Sequence, residues 1–333
     1  MVAEVSGSFE YEHKISLTEV LEELTRKELI SLCKRHGMHR YSDLNKSGLI
    51  EAISRYILTK KVLYNYFVCM NDSEIEYVRM ARDYDGIVDE AEPEALSYMI
   101  IGGYAGFTKN LKFGIPWEVL ECFDALDTED FERQRKRICL IGNYSHIANY
   151  LYGVTPPMQI VKMFNQHEKK KTDWEEVIHT YKIIEKYRSD FVYVDGYFVD
   201  TIFKKNYEEL LKLQGNIPYY TPSQAEVEEW CQIGFPTSTG YIIELYRYMT
   251  QQLWIDQDMA ADVCFMLDNT IHIGCTLKSV RDELERCGVR CRTKRQHREF
   301  EVLLKNLIDH SRMIIYRGFT PAEAARLQPD REV

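Results

Sequence analysis

Basic side chains are the residues of this sequence whose types and spacing point most directly to a chemistry. Between Thr25 and Lys61, nine Lys or Arg residues stand against three carboxylates, a net charge of +6. The whole chain carries −10, which leaves −16 for the remainder. This asymmetry is expected when one part of a protein meets a polyanion. The phosphate contacts predicted in this stretch are Lys27, Lys34, Arg35, Arg40, Lys46 and Arg55.

A second basic cluster lies near the C-terminus. Residues 290–298 contain five cations and no carboxylate, shortly after Gly288. Each phosphate that Lys or Arg neutralises releases counterions, so such a cluster would add salt-dependent affinity. A solvated basic loop that faces a partner explains the pattern equally well. The phosphate contacts predicted in this cluster are Arg290, Arg292, Lys294, Arg295 and Arg298.

The sequence contains no catalytic or cofactor signature. It has no Gly-x-x-x-x-Gly-Lys-Ser/Thr phosphate loop, no His-Glu-x-x-His and no Gly-x-Ser-x-Gly. Adjacent carboxylates such as Glu175 and Glu176 occur in charged helical stretches, which is typical of solvated faces. We therefore predict a non-enzymatic protein with no catalytic residue and no cofactor. An enzyme whose site is assembled from distant residues is the third-ranked alternative.

Nine cysteines raise the question of a metal site. No pair has the spacing Cys-x-x-Cys, and the nearest pair, Cys287 and Cys291, is followed by His297. A structural zinc site needs four ligands, usually as two close pairs, and no second pair is present. We predict reduced, mostly buried cysteines and no metal, and the sequence leaves open whether these three residues ever bind one.

Length and composition restrict the class of protein. The 333 residues correspond to about two domains. Hydrophobic residues make up 45% and charged residues 28%, as in folded proteins. The longest apolar stretch, residues 97–107, is shorter than the roughly 20 residues of a membrane span. The first ten residues lack the basic and apolar segments of an export signal. We therefore expect a cytoplasmic protein with no membrane partner.

The first basic cluster requires a small helical module to position it. Residues 1–15 lack a pattern and are predicted to form a flexible arm. Residues 16–61 have the periodicity of three short helices. Thr25 and Glu28 have the spacing of a capping box at the start of the second helix, and Gly37 is suited to end it.

The amino-acid sequence of this module resembles two known helical families. Leu-Thr-Arg-Lys-Glu-Leu-Ile-Ser-Leu-Cys-Lys-Arg-His-Gly-Met at residues 24–38 and the run at residues 41–53 are similar to the N-terminal domain of the Rho transcription terminator and to the SAP module. Members of both groups are associated with nucleic acid, so the resemblance implies nucleic-acid binding. It covers about 45 residues of the chain. Gly48 departs from the pattern, where such modules usually have a charged or helix-favouring residue.

The middle of the chain is predicted to mix helices and strands. Residues 62–126 would form a small α+β unit, with short strands around a turn in residues 96–114. Residues 127–233 would form a winged-helix-like unit, in which a hairpin over residues 190–200 turns at Asp195-Gly196. In a winged helix one helix enters a DNA groove, but the carboxylates of this hairpin favour packing against protein instead.

The helices of the winged-helix-like unit are bounded by predicted breaks. One break follows Leu140, and another lies at residues 154–157, where Thr155 would cap a helix that starts with Pro156. Residues 234–240 are predicted to be a linker, and residues 241–333 an all-α unit. The helices predicted there span residues 241–254, 259–267, 276–286 and 298–316.

The end of the chain carries a second resemblance. Arg317-Gly-Phe-Thr-Pro-Ala-Glu323 is similar to the tail of helical proteins from Gram-positive bacteria and phages, whose relatives often end in a SEC-C-type zinc knuckle. No cysteine follows Cys291, so the knuckle is absent and no zinc is implied here.

These observations lead to a fold and a function. The fold is predicted to be mainly α with several units: the Rho-N/SAP-like module, the winged-helix-like α+β middle and the all-α C-terminal unit. The predicted function is nucleic-acid-associated binding, of DNA or RNA and with weak sequence preference, while the acidic helical body binds a protein partner. The alternative is a regulator of phage or plasmid type that docks on a host protein complex without a nucleic-acid role.

Overall fold

The computed structural model describes residues 14–84, 86, 96–110, 112–188, 190–233 and 239–327. Within these residues the protein has seventeen α-helices and two small antiparallel sheets, which confirms the prediction of a mainly helical fold. The chain divides into two units, residues 1–140 with 182–188 and residues 141–181 with 189–333. The predicted arm and linker fall largely on residues 1–13 and 234–238, outside the described residues.

The first unit contains most of the N-terminal helices and one short hairpin. Strands β1 (Gly106–Phe107) and β2 (Phe113–Gly114) pair antiparallel. The first part of α8 (Glu129–Tyr152) and the end of α10 (Trp174–Arg188) also belong to this unit. Its other helices are α1 (Leu17–Glu22), α2 (Arg26–His36), α3 (Lys46–Ile57), α4 (Lys60–Phe67), α5 (Asp72–Asp83), α6 (Ser97–Gly102) and α7 (Trp117–Asp124).

Local signals set the bounds of the first helices. Thr25 and Glu28 form the predicted capping box at the start of α2, and Gly37 ends that helix in the left-handed conformation at φ 67°. Asn45 caps α3 and accepts a hydrogen bond of 2.8 Å from the backbone N–H of Gly48. Gly48 therefore lies inside the first turn of α3, where this cap offsets its weak helix propensity.

The prediction of short strands around a turn in residues 96–114 is partly wrong. The first part of this stretch is the helix α6, and only the following residues form the hairpin of β1 and β2. Position 102 requires a glycine, because a Cβ atom there would lie 2.3 Å from the ring of Tyr66. This glycine allows the backbone to approach a large buried ring closely, rather than to form a turn.

The second unit contains a three-stranded sheet and most of the C-terminal helices. The sheet order is β3–β5–β4, formed by β3 (Val154–Thr155), β4 (Phe191–Val194) and β5 (Tyr197–Asp200). Short 3₁₀ turns follow at Thr201–Phe203 and Ile314–Tyr316. The helices are α9 (Pro157–His167), α11 (Tyr207–Gln214), α12 (Gln224–Ile233), α13 (Thr239–Gln251), α14 (Gln257–Ile273), α15 (Leu277–Arg286), α16 (Lys294–His310) and α17 (Pro321–Leu327).

The hairpin prediction is confirmed, and so is the helix break at residues 154–157, although Pro156 rather than Thr155 is at the N-cap of α9. The other predicted break is wrong. Asp195 and Gly196 form the turn with positive φ angles of 49° and 88°. No break follows Leu140, since α8 continues through it. Thr155 belongs to β3, and its hydroxyl donates to the carbonyl of Ala148 at 3.2 Å instead of capping α9. Tertiary partners on both sides of these segments outweigh the local signals.

The described elements of the C-terminal segment are all helices, with bounds that differ from the prediction. Helix α13 ends at Gln251 rather than at Trp254, and α16 begins at Lys294 rather than at Arg298. Leu267, Leu304 and Leu307 lie at the centre of its core. Among the described residues, no helix is long and apolar enough to cross a lipid bilayer.

Candidate nucleic-acid interface

Four of the predicted N-terminal contacts lie on the outer side and at the end of α2. Lys27 and Lys34 are seven residues apart, about two helical turns, so they project from nearly the same side. The buried residues Leu29, Leu32 and Cys33 occupy the opposite side. We use the name α2 patch for the set Lys27, Lys34, Arg35 and Arg40.

The cations of the α2 patch are not neutralised by the part of the protein that the structure describes. Lys27, Lys34 and Arg40 are exposed, and Arg35 is half-buried. None of the four makes a side-chain hydrogen bond or an ion pair with another described residue. Their charge is therefore available to an external anion.

The other two predicted N-terminal contacts are occupied within the protein. The Lys46 ammonium donates a hydrogen bond of 2.6 Å to the carbonyl of Glu22, at the last residue of α1. This contact satisfies a carbonyl that the helix leaves open. Arg55 pairs with Glu51 at 2.7 Å, one turn away on α3, in a solvent-exposed ion pair.

Lys46 and Arg55 line one groove, which has balanced charge. This groove, here called the α1–α3 groove, has a volume of about 910 Å³. Its three cations and three carboxylates cancel, so it offers no net attraction to phosphate. The residues that line it are Thr18, Glu22, Glu23, Lys46, Ser47, Ile50, Glu51, Ser54, Arg55, Leu58 and Lys109.

The C-terminal cluster forms a groove of a different kind. It has a volume of about 660 Å³ and is called here the α16 groove. No carboxylate is among the described residues that line it, whereas three of them are cations. The lining residues are Cys291, Arg292, Thr293, Lys294, His297 and Arg298.

The local sequence explains why these cations face solvent. Gly288 takes a left-handed conformation at φ 79°, and Val289 is then buried in the core. The chain runs on to Thr293, which caps α16 in a capping box with Gln296. Lys294 therefore occupies the first helical position and is exposed.

The five predicted cations of this cluster differ in their partners. Arg290, Arg292 and Lys294 have no ion-pair partner among the described residues. Arg295 pairs with Glu299 at 2.8 Å, and Arg298 donates a long hydrogen bond of 3.4 Å to the backbone of its own helix. Three of the five cations thus have no internal neutralising group.

Cys291 and His297 also border the α16 groove. Burial raises the pKa of the Cys291 thiol, and the carboxylate of Glu301 adds to this, so the protonated thiol is favoured. The His297 ring lies 3.9 Å from a carboxylate oxygen of Glu301. Cys287 packs against the helical core. No group of three or more possible metal ligands occurs within the described residues.

Burial accounts for the shifted pKa values of two internal histidines. Desolvation lowers the pKa of His36 to about 4, although its Nε2 lies 2.9 Å from the carbonyl of Gly102. Desolvation also lowers the pKa of His272, whose ring stacks on Tyr150. Buried histidines of this kind support the cores of the two units, one in each.

The carboxylates of the hairpin in the predicted winged-helix-like unit are hydrogen-bonded within the protein. The Asp195 carboxylate accepts a hydrogen bond of 2.6 Å from the Tyr207 hydroxyl. At the other end of the hairpin, Asn149 donates to Asp200 at 3.2 Å. These contacts tie the hairpin to its own unit.

The sequence prediction missed Trp254 as a functional candidate. It was assigned to the end of a helix, but the structure has it between α13 and α14 with a positive φ of 60° and its ring 81% exposed. Asp256, which caps α14, is the sequence signal from which a break here could have been predicted.

Comparisons with protein-family models, with curated proteins and with solved structures found no match to this chain.

Proposed function

We propose that this protein is a non-enzymatic, nucleic-acid-associated binding protein of the cytoplasm that contacts the phosphate backbone through the α16 groove. The observation that carries the proposal is the lining of this groove, which has three cations and no carboxylate among the described residues. Phosphate contacts of this type give affinity with little sequence preference. The nine free cysteines support a reducing compartment.

The α2 patch is the second phosphate contact in this proposal. Its four cations lack internal partners among the described residues, which supports the same role. The resemblance of residues 16–61 to the Rho-N and SAP modules points in the same direction. Lys46 and Arg55 are left out of the interface, because one closes a helix end and the other is paired with a carboxylate.

Fluorescence anisotropy with labelled DNA and RNA, from 50 to 200 mM salt, tests the α16 groove. The variant R292E/K294E/R298E reverses its three cations. We expect affinity at 50 mM salt to fall about 100-fold and the log–log salt slope to decrease by about 3.

A matched control separates this local effect from the change in net charge. K204E/K205E/K305E reverses three exposed cations of the same unit outside the groove. We expect it to lose no more than about threefold in affinity, through long-range electrostatics alone. Equal losses in the two variants, or no binding by the unaltered protein at 50 mM salt, would overturn the proposal.

Docking on a protein partner is the second candidate function, and a separate surface favours it. Phe265 on α14 is 75% exposed, and Ile273 is exposed on the same helix. Exposed aromatic side chains are common at the centres of protein interfaces. F265A would abolish the binding of a partner to this face, while the affinity for nucleic acid would be retained.

A further inference from the structure

The residue with the most exposed large hydrophobic side chain in the described part of the chain is Trp254. Its ring is 81% exposed, and its backbone has a φ of 60°. A bulky residue in the left-handed region is strained, and burial of the ring does not offset this strain. Such an outlier on a surface suggests that the ring has a role outside the core.

Two hydrogen bonds join the segment before Trp254 to the first turn of α16. The Gln296 side-chain amide donates to the carbonyl of Gln252 at 2.8 Å. The Tyr248 hydroxyl donates to the carbonyl of Gln296 at 3.2 Å. Trp254 follows Gln252 by two residues, at most about 7 Å of chain. The backbone of Trp254 therefore lies near the side chain of Gln296, in the helix turn that starts with Lys294, a residue of the α16 groove.

The residues on either side hold Trp254 in place. Leu253 is buried, and its N–H donates to the carbonyl of Tyr248 at 3.3 Å. The N–H of Ile255 donates to the carbonyl of Met249 at 3.1 Å. Anchored neighbours reduce the conformational entropy that a ligand would have to overcome when it contacts the ring.

The closest carboxylate along the chain is engaged elsewhere. The Asp256 side chain caps α14 and accepts from the N–H groups of Asp258 and Met259 at 3.0 and 3.4 Å. Its negative charge thus faces the positive end of a helix. The α16 groove itself has no carboxylate among its described lining residues.

We propose that Trp254 and the α16 groove together form a binding site for single-stranded nucleic acid. The cations of the groove contact phosphates, and the indole ring stacks on a neighbouring base. Every base has a π face, so this combination tolerates any sequence. In a duplex both faces of an internal base are already stacked, so the ring adds affinity only for single strands. The inference rests on the proposed function, because it assumes the phosphate contacts of the groove.

The test compares three labelled oligonucleotides by anisotropy: a 12-nucleotide oligothymidine, the same strand with abasic sites, and a 12-base-pair duplex. Loss of one stacked base corresponds to a decrease of roughly 5- to 150-fold. We expect W254A to lose affinity for oligothymidine within this range, with an unchanged salt slope. W254F should keep most of the affinity, since it retains a ring that stacks.

Two comparisons make the result specific to stacking. We expect W254A to bind the abasic strand and the duplex as the unaltered protein does, because neither offers a base to the ring. W174A removes another exposed indole of the same unit, 52% exposed, and should bind all three probes normally. Circular dichroism checks that each variant is folded.

The outcomes distinguish this inference from the function on which it rests. If R292E/K294E/R298E abolishes binding while W254A binds oligothymidine like the unaltered protein, Trp254 has no role in stacking and the inference is wrong. An equal loss for the abasic strand and oligothymidine in W254A would also overturn it. If no probe binds at 50 mM salt, the proposed function itself fails.

Discussion

Arginine side chains are used in opposite ways in two regions of this protein. On α5 and α8, Arg79, Arg82 and Arg135 are surrounded by the carboxylates of Asp72, Asp124, Asp127 and Glu132. The described residues that line the α16 groove include the cations Arg292, Lys294 and Arg298 and no carboxylate. The comparison teaches that the number of cations does not separate the two regions, whereas their internal partners do, and the proposed interface is based on this difference.

The cations of the network on α5 and α8 stabilise the fold. Arg135 is 1% exposed and bonds to Glu132 at 2.9 Å and to the carbonyl of Met70 at 2.7 Å. Arg79 bonds to Asp127 at 2.7 Å. These contacts replace the water that a buried guanidinium loses. Nothing remains for an external phosphate.

Removal of the buried guanidinium tests the structural side of the comparison and should have the largest effect. R135M removes the guanidinium that bonds to Glu132 and to the carbonyl of Met70. We expect the free energy of unfolding to fall by about 3–5 kcal/mol in urea titrations. The control R133M removes an arginine of the same helix that is 69% exposed, and should cost no more than about 1 kcal/mol. Similar losses in both variants would contradict the structural role.

The same network predicts a pH dependence of stability. The hydrogen bond from Arg135 lowers the pKa of Glu132 from 4.5 to about 2, and Arg79 lowers the pKa of Asp127. Because these folded-state pKa values lie below the unfolded ones, the stabilisation is complete above about pH 4.5 and is lost as the pH falls toward 2. Urea titrations between pH 7 and pH 3 measure this. In E132Q the free energy of unfolding should change less with pH. A pH profile equal to that of the unaltered protein would show that Glu132 does not cause the pH dependence.

Reversal of two charges on α2 tests whether cations without internal partners contribute to nucleic-acid binding. K27E/K34E removes two exposed cations without ion-pair partners among the described residues. We expect a loss of affinity for nucleic acid of about tenfold or less, and a salt slope smaller by about 2. K60E/K61E, which reverses two exposed cations of α4 in the same unit, serves as the control. Anisotropy that separates neither variant from the unaltered protein would remove the α2 patch from the interface.

Substitution of the single residue Lys46 should have the smallest effect. K46M keeps the aliphatic stem and removes the hydrogen bond to the carbonyl of Glu22. We expect the free energy of unfolding to fall by about 1 kcal/mol, and affinity for nucleic acid to stay within about twofold. Lys46 would instead belong to the interface if affinity fell tenfold while stability was unchanged.

Local sequence signals predicted many elements of the fold. The capping box of Thr25 and Glu28, the helix end at Gly37 and the hairpin turn at Asp195 and Gly196 are all present. Each depends on atoms within a few residues of one another, so the sequence contains the necessary information. Long-range packing decided the elements that were misassigned, such as the helical start of residues 96–114 and the uninterrupted α8.

The candidate site was predictable only in part. Both basic clusters are visible in the sequence, because charge and spacing need no fold. The sequence did not distinguish Lys46 from Lys34, since the carbonyl of Glu22 comes within 2.6 Å of the Lys46 ammonium only after α1 and α3 pack together. It also did not indicate that the segment before Trp254 is hydrogen-bonded to α16, because Gln252 and Gln296 are 44 residues apart in the chain.

The sequence by itself determined that this protein is mainly helical and where its cations are concentrated, since both depend on local composition and periodicity. Only the tertiary structure decided which of those cations are neutralised. A carboxylate pairs with a cation, and a carbonyl accepts its hydrogen bond, only within a few ångströms, and that distance is set by the packing of segments far apart in the chain. The same packing left the α16 groove free of carboxylates among its described lining residues and joined the segment before the exposed Trp254 to the first turn of α16.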